Sequence, residues 1–224
     1  MKRLLSVTAL FITLAILVSS TLVSCSKPIS EERALSIIKN LLTESVEINE
    51  IFFGHGLPYD QMAYLEKLED IEDAKSQPGG QNGVYYPFYV PIDKKAKYQS
   101  ENEIKEAALK VYSSEYCEYL FKLAFKGISS DSGVVSLPKY YLSDGSPKRL
   151  LVRVLDPDEK EIMPVKREYD LSTIEFIKIG RIYITFSVRS IINGEPADTI
   201  KAVAIHEKRP HDIRYNWYLD TPTY

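Results

Sequence analysis

The residues best suited to chemistry are few. His206 and His211 stand five apart in His206-Glu207-Lys208-Arg209-Pro210-His211, a spacing that lets a hairpin end bring them together. A metal site there needs further ligands, and Glu207 and Asp212 are the carboxylates at hand. Lys208 and Arg209 stand among them and repel a cation, so the stretch reads as a solvated turn and no metal ligand is assigned. His55, in the breaker-rich Gly54-His55-Gly56-Leu57-Pro58, reads as a turn residue rather than a base. Asp170 and Asp220 look like strand-end residues with turn roles, and no spacing among the Asp and Tyr residues selects an acid–base pair. G-x-S-x-G, H-E-x-x-H and P-loop patterns are absent. Cys117, beside Tyr116, Tyr119 and Leu120, reads as a small hydrophobe on a buried helix face. No catalytic residue and no cofactor is assigned.

Tyrosine is the more suggestive residue type, with 16 Tyr against 8 Phe and 1 Trp. It joins a large contact area to a polar tip, which suits binding surfaces. Tyr85, Tyr86, Phe88 and Tyr89 are concentrated between prolines and are the candidate binding residues. The same rings can instead cover the open end of a core with their hydroxyls in water. Pro87 and Pro91 exclude a central strand, so an extended edge or a packed loop is expected.

The elements that must position these groups fall into two halves. Ser30 is a plausible N-cap, with Glu31 and Glu32 in the first turn. Ala34, Leu35, Ile38, Leu41, Leu42 and Val46 then recur at helical spacing, and the helix should stop by Gly54. Met62, Leu65, Leu68 and Ile71 mark a weaker amphipathic stretch, and residues 76–84 form a loop. Ser100 and Glu103 match a capping box. Ile104, Ala107, Ala108, Val111 and Tyr112 follow, and Tyr116, Tyr119, Leu120, Leu123 and Ala124 repeat the pattern. Ser113-Ser114 either splits two helices or lies within one.

From about residue 134 the period becomes 2. Asp144-Gly145 is a turn signal between Lys139–Leu142 and Leu150–Leu155. Ile182, Ile184, Phe186 and Val188 alternate with polar neighbours, and a bulge or tight turn is expected at Gly180-Arg181. Asn193-Gly194 opens another turn, Thr199–Glu207 reads as a strand, and Ile213, Tyr215, Trp217 and Leu219 alternate near the end. Helices first and antiparallel strands after predict an α+β fold, with the helices covering one face of a curved sheet.

Ahead of all this, Lys2 and Arg3 precede an apolar run from Leu4 to Val18. That run falls short of the roughly 20 residues that span a bilayer. Small and polar residues follow, ending Leu22-Val23-Ser24-Cys25. The pattern is that of a secretory signal peptide. Its ending resembles the lipobox of bacterial lipoproteins. The resemblance implies a cut between Ser24 and Cys25, lipid of the palmitate kind on Cys25, and attachment to the extracytoplasmic face of the cell membrane. Residues 1–24 are then the leader, 25–29 a lipidated tether, 30–99 N-terminal helices with the aromatic-proline loop, and 100–224 the main α+β domain. With Cys25 lipidated, Cys117 has no intrachain partner and no disulfide framework exists. The formal charge of −3 falls to −5 once Lys2 and Arg3 leave. Such an acidic balance argues against nucleic acid as a partner.

The order of elements over roughly 100–224, ending Asn216-Trp217-Tyr218-Leu219-Asp220, resembles the cystatin-like/NTF2-like superfamily. It is distantly similar to secreted inhibitors of cell-wall DL-endopeptidases. The resemblance implies a cone of sheet wrapped on helices, and a binding protein with an envelope-protein or cell-wall partner, inhibition of a wall hydrolase being one form. The alternative is an NTF2-like small-molecule binder or enzyme using the cone pocket.

Overall fold

The computed structural model describes residues 28–76, 88–130, 133–154, 166–210 and 212–224. Ser30 starts helix α1 (Glu31–Phe52), its hydroxyl accepting the Arg33 N–H at 3.3 Å. Ala34, Ile38, Leu41, Leu42, Ser45, Ile48, Asn49 and Phe52 form its buried stripe. At the far end the N–H groups of Phe53 and Gly54 return to the Asn49 carbonyl at 2.7 and 3.1 Å. Gly56, at φ +86°, then turns the chain in a conformation that suits glycine. Helix α2 (Gln61–Ser76) follows; Asp60 Oδ1 accepts the N–H groups of Met62 and Ala63 at 3.1 and 3.3 Å. Strand β1 (Phe88–Pro91) lies at a sheet edge, where Pro91 does least harm.

Helix α3 (Glu101–Val111) has the full capping box of Ser100 and Glu103. The chain breaks at Tyr112, which is extended at φ −106°, ψ 152°. Ser113 then caps α4 (Ser114–Phe121), its hydroxyl accepting the Tyr116 N–H at 3.1 Å. Ser113-Ser114 therefore separates two helices. After α4 comes a five-residue π-helical turn, Lys122–Lys126, which the 3.6-residue pattern does not announce.

The strands are β2 (Ile128–Ser130), β3 (Gly133–Ser136), β4 (Tyr140–Leu142), β5 (Leu150–Val154), β6 (Arg167–Ile179), β7 (Tyr183–Ile192), β8 (Glu195–Glu207) and β9 (Asn216–Leu219). They form antiparallel sheets in the orders β1-β5-β4, β2-β3 and β6-β7-β8-β9, and the class is α+β. Asn193 (φ 52°) and Gly194 (φ 87°) supply the left-handed pair that a tight β7–β8 hairpin needs. A tight turn at Gly180, whose N–H reaches the Tyr183 carbonyl at 2.8 Å, joins β6 to β7. The bulges lie earlier, between Asp170 and Glu175 and between Phe176 and Lys178. The last strand is shorter than its alternation suggests. β8 ends at Glu207, opposite Asn216, so Ile213 and Tyr215 have no strand to pair with and stand 93% and 59% exposed.

One face of the β6–β9 sheet packs on α1. Ile184, Phe186 and Val188 are buried, with Ala202 and Ala204 opposite Phe186 and Ile184. The large-beside-small pairing leaves room for the helix to approach. α1, α3, α4, β1, β5 and the large sheet share a single hydrophobic cluster, so residues 30–99 contribute to the same core as the rest.

Inside that core is a polar ring. The Asn49 amide donates to Thr223 Oγ1 (3.1 Å) and to Tyr169 Oη (2.8 Å), and Tyr112 Oη donates to Asn49 Oδ1 (2.6 Å). Because the Tyr112 proton is committed, Thr223 must donate across the 2.9 Å contact between the two hydroxyls. Tyr169 Oη donates to the Thr223 carbonyl at 2.7 Å. Every polar hydrogen of these four side chains is used. Burial pushes both phenols above the ordinary tyrosine range, Tyr112 strongly so, and keeps them as neutral donors. Asn49→Ala leaves hydroxyls without partners and should cost about 2–4 kcal/mol of stability; Tyr112→Phe should cost about 1–2 kcal/mol. In urea titrations the double variant should lose less than the sum, because both break the same ring.

Candidate functional site

A cleft of about 630 Å³ opens between α1, α3 and the chain leading into β9. α1 contributes Ile37, Asn40, Leu41 and Glu44, at the i, i+3, i+4, i+7 spacing of one helix flank. α3 contributes Glu106, Leu109 and Lys110 in the same way. Arg209, Asp212, Asn216, Trp217 and Tyr218 complete the wall. The floor is aliphatic and aromatic, and the rim carries both signs of charge.

The third wall is held by two charges placed at opposite helix ends. The Arg209 guanidinium donates to the carbonyls of Leu109 and, at 2.5 Å, Tyr112, where α3 ends, and it lies 3.7 Å over the Tyr218 ring. Glu207 accepts the Ser114 hydroxyl at 2.5 Å and the Ser114 N–H at 3.3 Å, where α4 begins. A cation faces the negative end of one dipole and an anion the positive end of the next. Asp212 accepts the Tyr218 hydroxyl at 3.1 Å. His206 stacks on Trp217 with centroids 4.8 Å apart and planes 18° from parallel, so the half-buried indole is fixed before any ligand arrives. The side chains of Asn40, Glu44, Glu106 and Lys110 make no hydrogen bond or ion pair with any described residue and face outward at the rim.

Of the residues weighed from sequence, Asp212 lines the cleft and His206 and Glu207 brace its third wall; the others fall elsewhere. Cys25, Tyr85, Tyr86 and His211 lie outside the described residues, as does the Phe88 side chain, whose backbone pairs with Val154. Tyr89 donates to the Pro138 carbonyl at 2.7 Å and lies 5.8 Å from the Tyr141 ring; burial raises its phenol above the usual range. Its sheet is tied to the C-terminal end of α1 through Tyr140 Oη, which donates to the Ile51 carbonyl at 2.9 Å. At about 1.5 Å per residue, that is about 16 Å along the helix from Asn40. The aromatic strand and the cleft are therefore separate surfaces. Cys117 is buried and its thiol is pushed up to about 12 by desolvation, which disfavours a thiolate nucleophile. Asp220 accepts the Ser113 hydroxyl, and Asp170 binds Ser172 within a bulge of β6. The stretch read as a solvated turn instead puts Arg209 into the structure at 14% exposure. The sequence reading names Leu41, Arg209, Asp212, Asn216, Trp217 and Tyr218 without joining them into a site; Ile37, Asn40, Glu44, Glu106, Leu109 and Lys110 are not singled out, and helical spacing is their only signal.

A second cluster lies beyond α1. Glu50 Oε1 accepts both the His55 backbone N–H and Nδ1, each at 2.8 Å. Lys139 Nζ donates to the Gly54 carbonyl at 2.6 Å. Burial lowers the Lys139 ammonium to about 7, against the opposing pull of Glu50. No cavity opens on these groups among the clefts described, and their hydrogen bonds close the turn after α1. Comparison of the chain with protein-family models, with curated proteins and with solved structures finds no match in any of the three.

Two outcomes follow for stability. Between pH 7 and 10.5 the unfolded Lys139 binds a proton that the folded one releases, so stability should rise with pH through that window. Lys139→Met should flatten the rise in urea midpoints measured from pH 7 to 10.5. Arg209→Ala strands the carbonyls of Leu109 and Tyr112 and leaves Glu207 without its cation. It should cost about 2–3 kcal/mol in urea unfolding and shift Trp217 emission to the red as the wall loosens.

Proposed function

We propose that this chain is a lipid-anchored extracytoplasmic protein whose folded part binds a cell-wall or envelope-protein partner, and that the cleft between α1 and α3 receives that partner. The signal-peptide pattern of residues 1–24, followed directly by Cys25, supports the anchor. No helix among the described residues is long and apolar enough to cross a membrane. The observation that carries the binding reading is the combination at one place of a fixed aromatic floor and four unengaged polar side chains around it. Such a site binds at low ordering cost, since Trp217 is held by His206 beforehand.

The finer fold reading, a cystatin-like/NTF2-like cone, is supported by α1 lying against the β6-β7-β8-β9 meander and by Trp217 sharing a sheet face with Leu219. The helix-covered face of the sheet is filled by Ile184, Phe186 and Val188, and the cleft opens beside β9. A small-molecule ligand is the second reading, favoured by a volume within the ~300–1,000 Å³ of ordinary ligand sites.

Three variants test the proposal in cells. Cys25→Ala should move the protein from the membrane fraction to the soluble fraction. Trp217→Ala should leave it in the membrane and reduce crosslinked envelope or wall partner at least five-fold. Replacing Tyr85, Tyr86, Phe88 and Tyr89 by Ser should leave the partner yield unchanged. Loss of partner with the tyrosine variant and not with Trp217→Ala moves the interface to the aromatic strand and sinks the assignment to the cleft.

A further inference from the structure

Resting on the cleft as the binding site, we propose that its ligand is an uncharged stretch of amino-sugar glycan, with one pyranose ring lying on the indole of Trp217. The rim chemistry argues against anionic ligands and against an amphipathic helix. Arg209 donates to two carbonyls, lies on the Tyr218 ring and has Glu207 3.5 Å from its buried Nε, so its charge is already answered within the protein. What remains unengaged is Glu44, Glu106 and Asn40 against the single ammonium of Lys110, which repels a phosphate-rich polymer or an acidic peptide. An amphipathic helix needs an apolar groove several turns long; here Ile37, Leu41, Leu109 and Trp217 form one short floor, bordered by Arg209 and Asp212.

A sugar ring answers each feature. Its C–H face carries partial positive charge and meets the negative π face of an indole. Its hydroxyls and acetamido groups are neutral donors and acceptors, matched by the two carboxylates, the amide and the ammonium on the rim. The two carboxylates come from different helices, Glu44 from α1 and Glu106 from α3, so each helix presents one at the cleft. The cleft opens to solvent on one side, which suits a segment whose neighbouring rings continue beyond it.

Trp217 is the one tryptophan in the chain, so emission excited at the red edge, where the 16 tyrosines do not absorb, reports on the indole at the cleft. The full chain in detergent micelles is titrated with the trimer of N-acetylglucosamine, with maltotriose, and with a neutral alanine tripeptide. The expected result is a saturable emission change with the amino-sugar trimer and binding at least ten-fold weaker for maltotriose, which lacks the acetamido groups. Asn40→Ala and Glu106→Gln, both exposed, should weaken the trimer at least ten-fold while leaving the urea midpoint in place. Saturation by the tripeptide with no response to the trimer overturns the glycan assignment and leaves the cleft as a binding site. No response to any probe overturns the glycan assignment too; if Trp217→Ala also leaves the cellular partner yield unchanged, the cleft itself is refuted.

Discussion

The ring of hydrogen bonds among Asn49, Tyr112 and Thr223 joins parts of the chain that are remote in sequence: the long first helix, the break between α3 and α4, and the C-terminal residues. A buried amide and two buried hydroxyls are each costly alone, and their cost disappears only in the one arrangement that satisfies all of them. Apolar packing between α1 and α3 tolerates sliding; the ring does not. It sets how α3 lies beside α1, and so which flanks of the two helices face each other across the cleft. Tyr169 extends it into β6, and the Phe53 ring, stacked 5.2 Å from Tyr224, closes the C-terminus over the helix end.

The break at Tyr112 is the second consequence. With the Tyr112 side chain drawn into the ring, its backbone runs extended beside Leu219, and the Ser113 N–H reaches the Leu219 carbonyl at 2.7 Å. That edge contact leaves a helix C-terminus and a helix N-terminus side by side. Arg209 and Glu207, two residues apart at the end of β8, fill those two ends. The chain from Arg209 to Trp217 is thereby pinned as the third wall, and the sole tryptophan is brought to the floor.

Much of the local structure was legible because it depends on neighbours in sequence. Ser30, the Ser100–Glu103 box and Asn193-Gly194 mark ends and turns through contacts a few residues long, and each forms as its pattern suggests. The edge placement of Phe88–Pro91 follows from proline chemistry. The site was not legible, because it rests on pairings 90 to 110 residues apart: Arg209 with Leu109, Glu207 with Ser114, Asp220 with Ser113. Alternation likewise suggested more strand at Ile213–Tyr215 than β8 had length to pair. Asn49 sits on the buried stripe where composition would place a hydrophobe, and only its partners explain it.

The measurement that bears most directly on the cleft is amide and indole chemical-shift mapping of the ¹⁵N-labelled protein with solubilised wall fragments. The account predicts perturbations confined to Asn40, Glu44, Glu106, Lys110 and the indole N–H of Trp217, with the β1–β5–β4 sheet unmoved. Perturbations centred on Tyr89 and Tyr141, with the Trp217 signal unchanged, would contradict it.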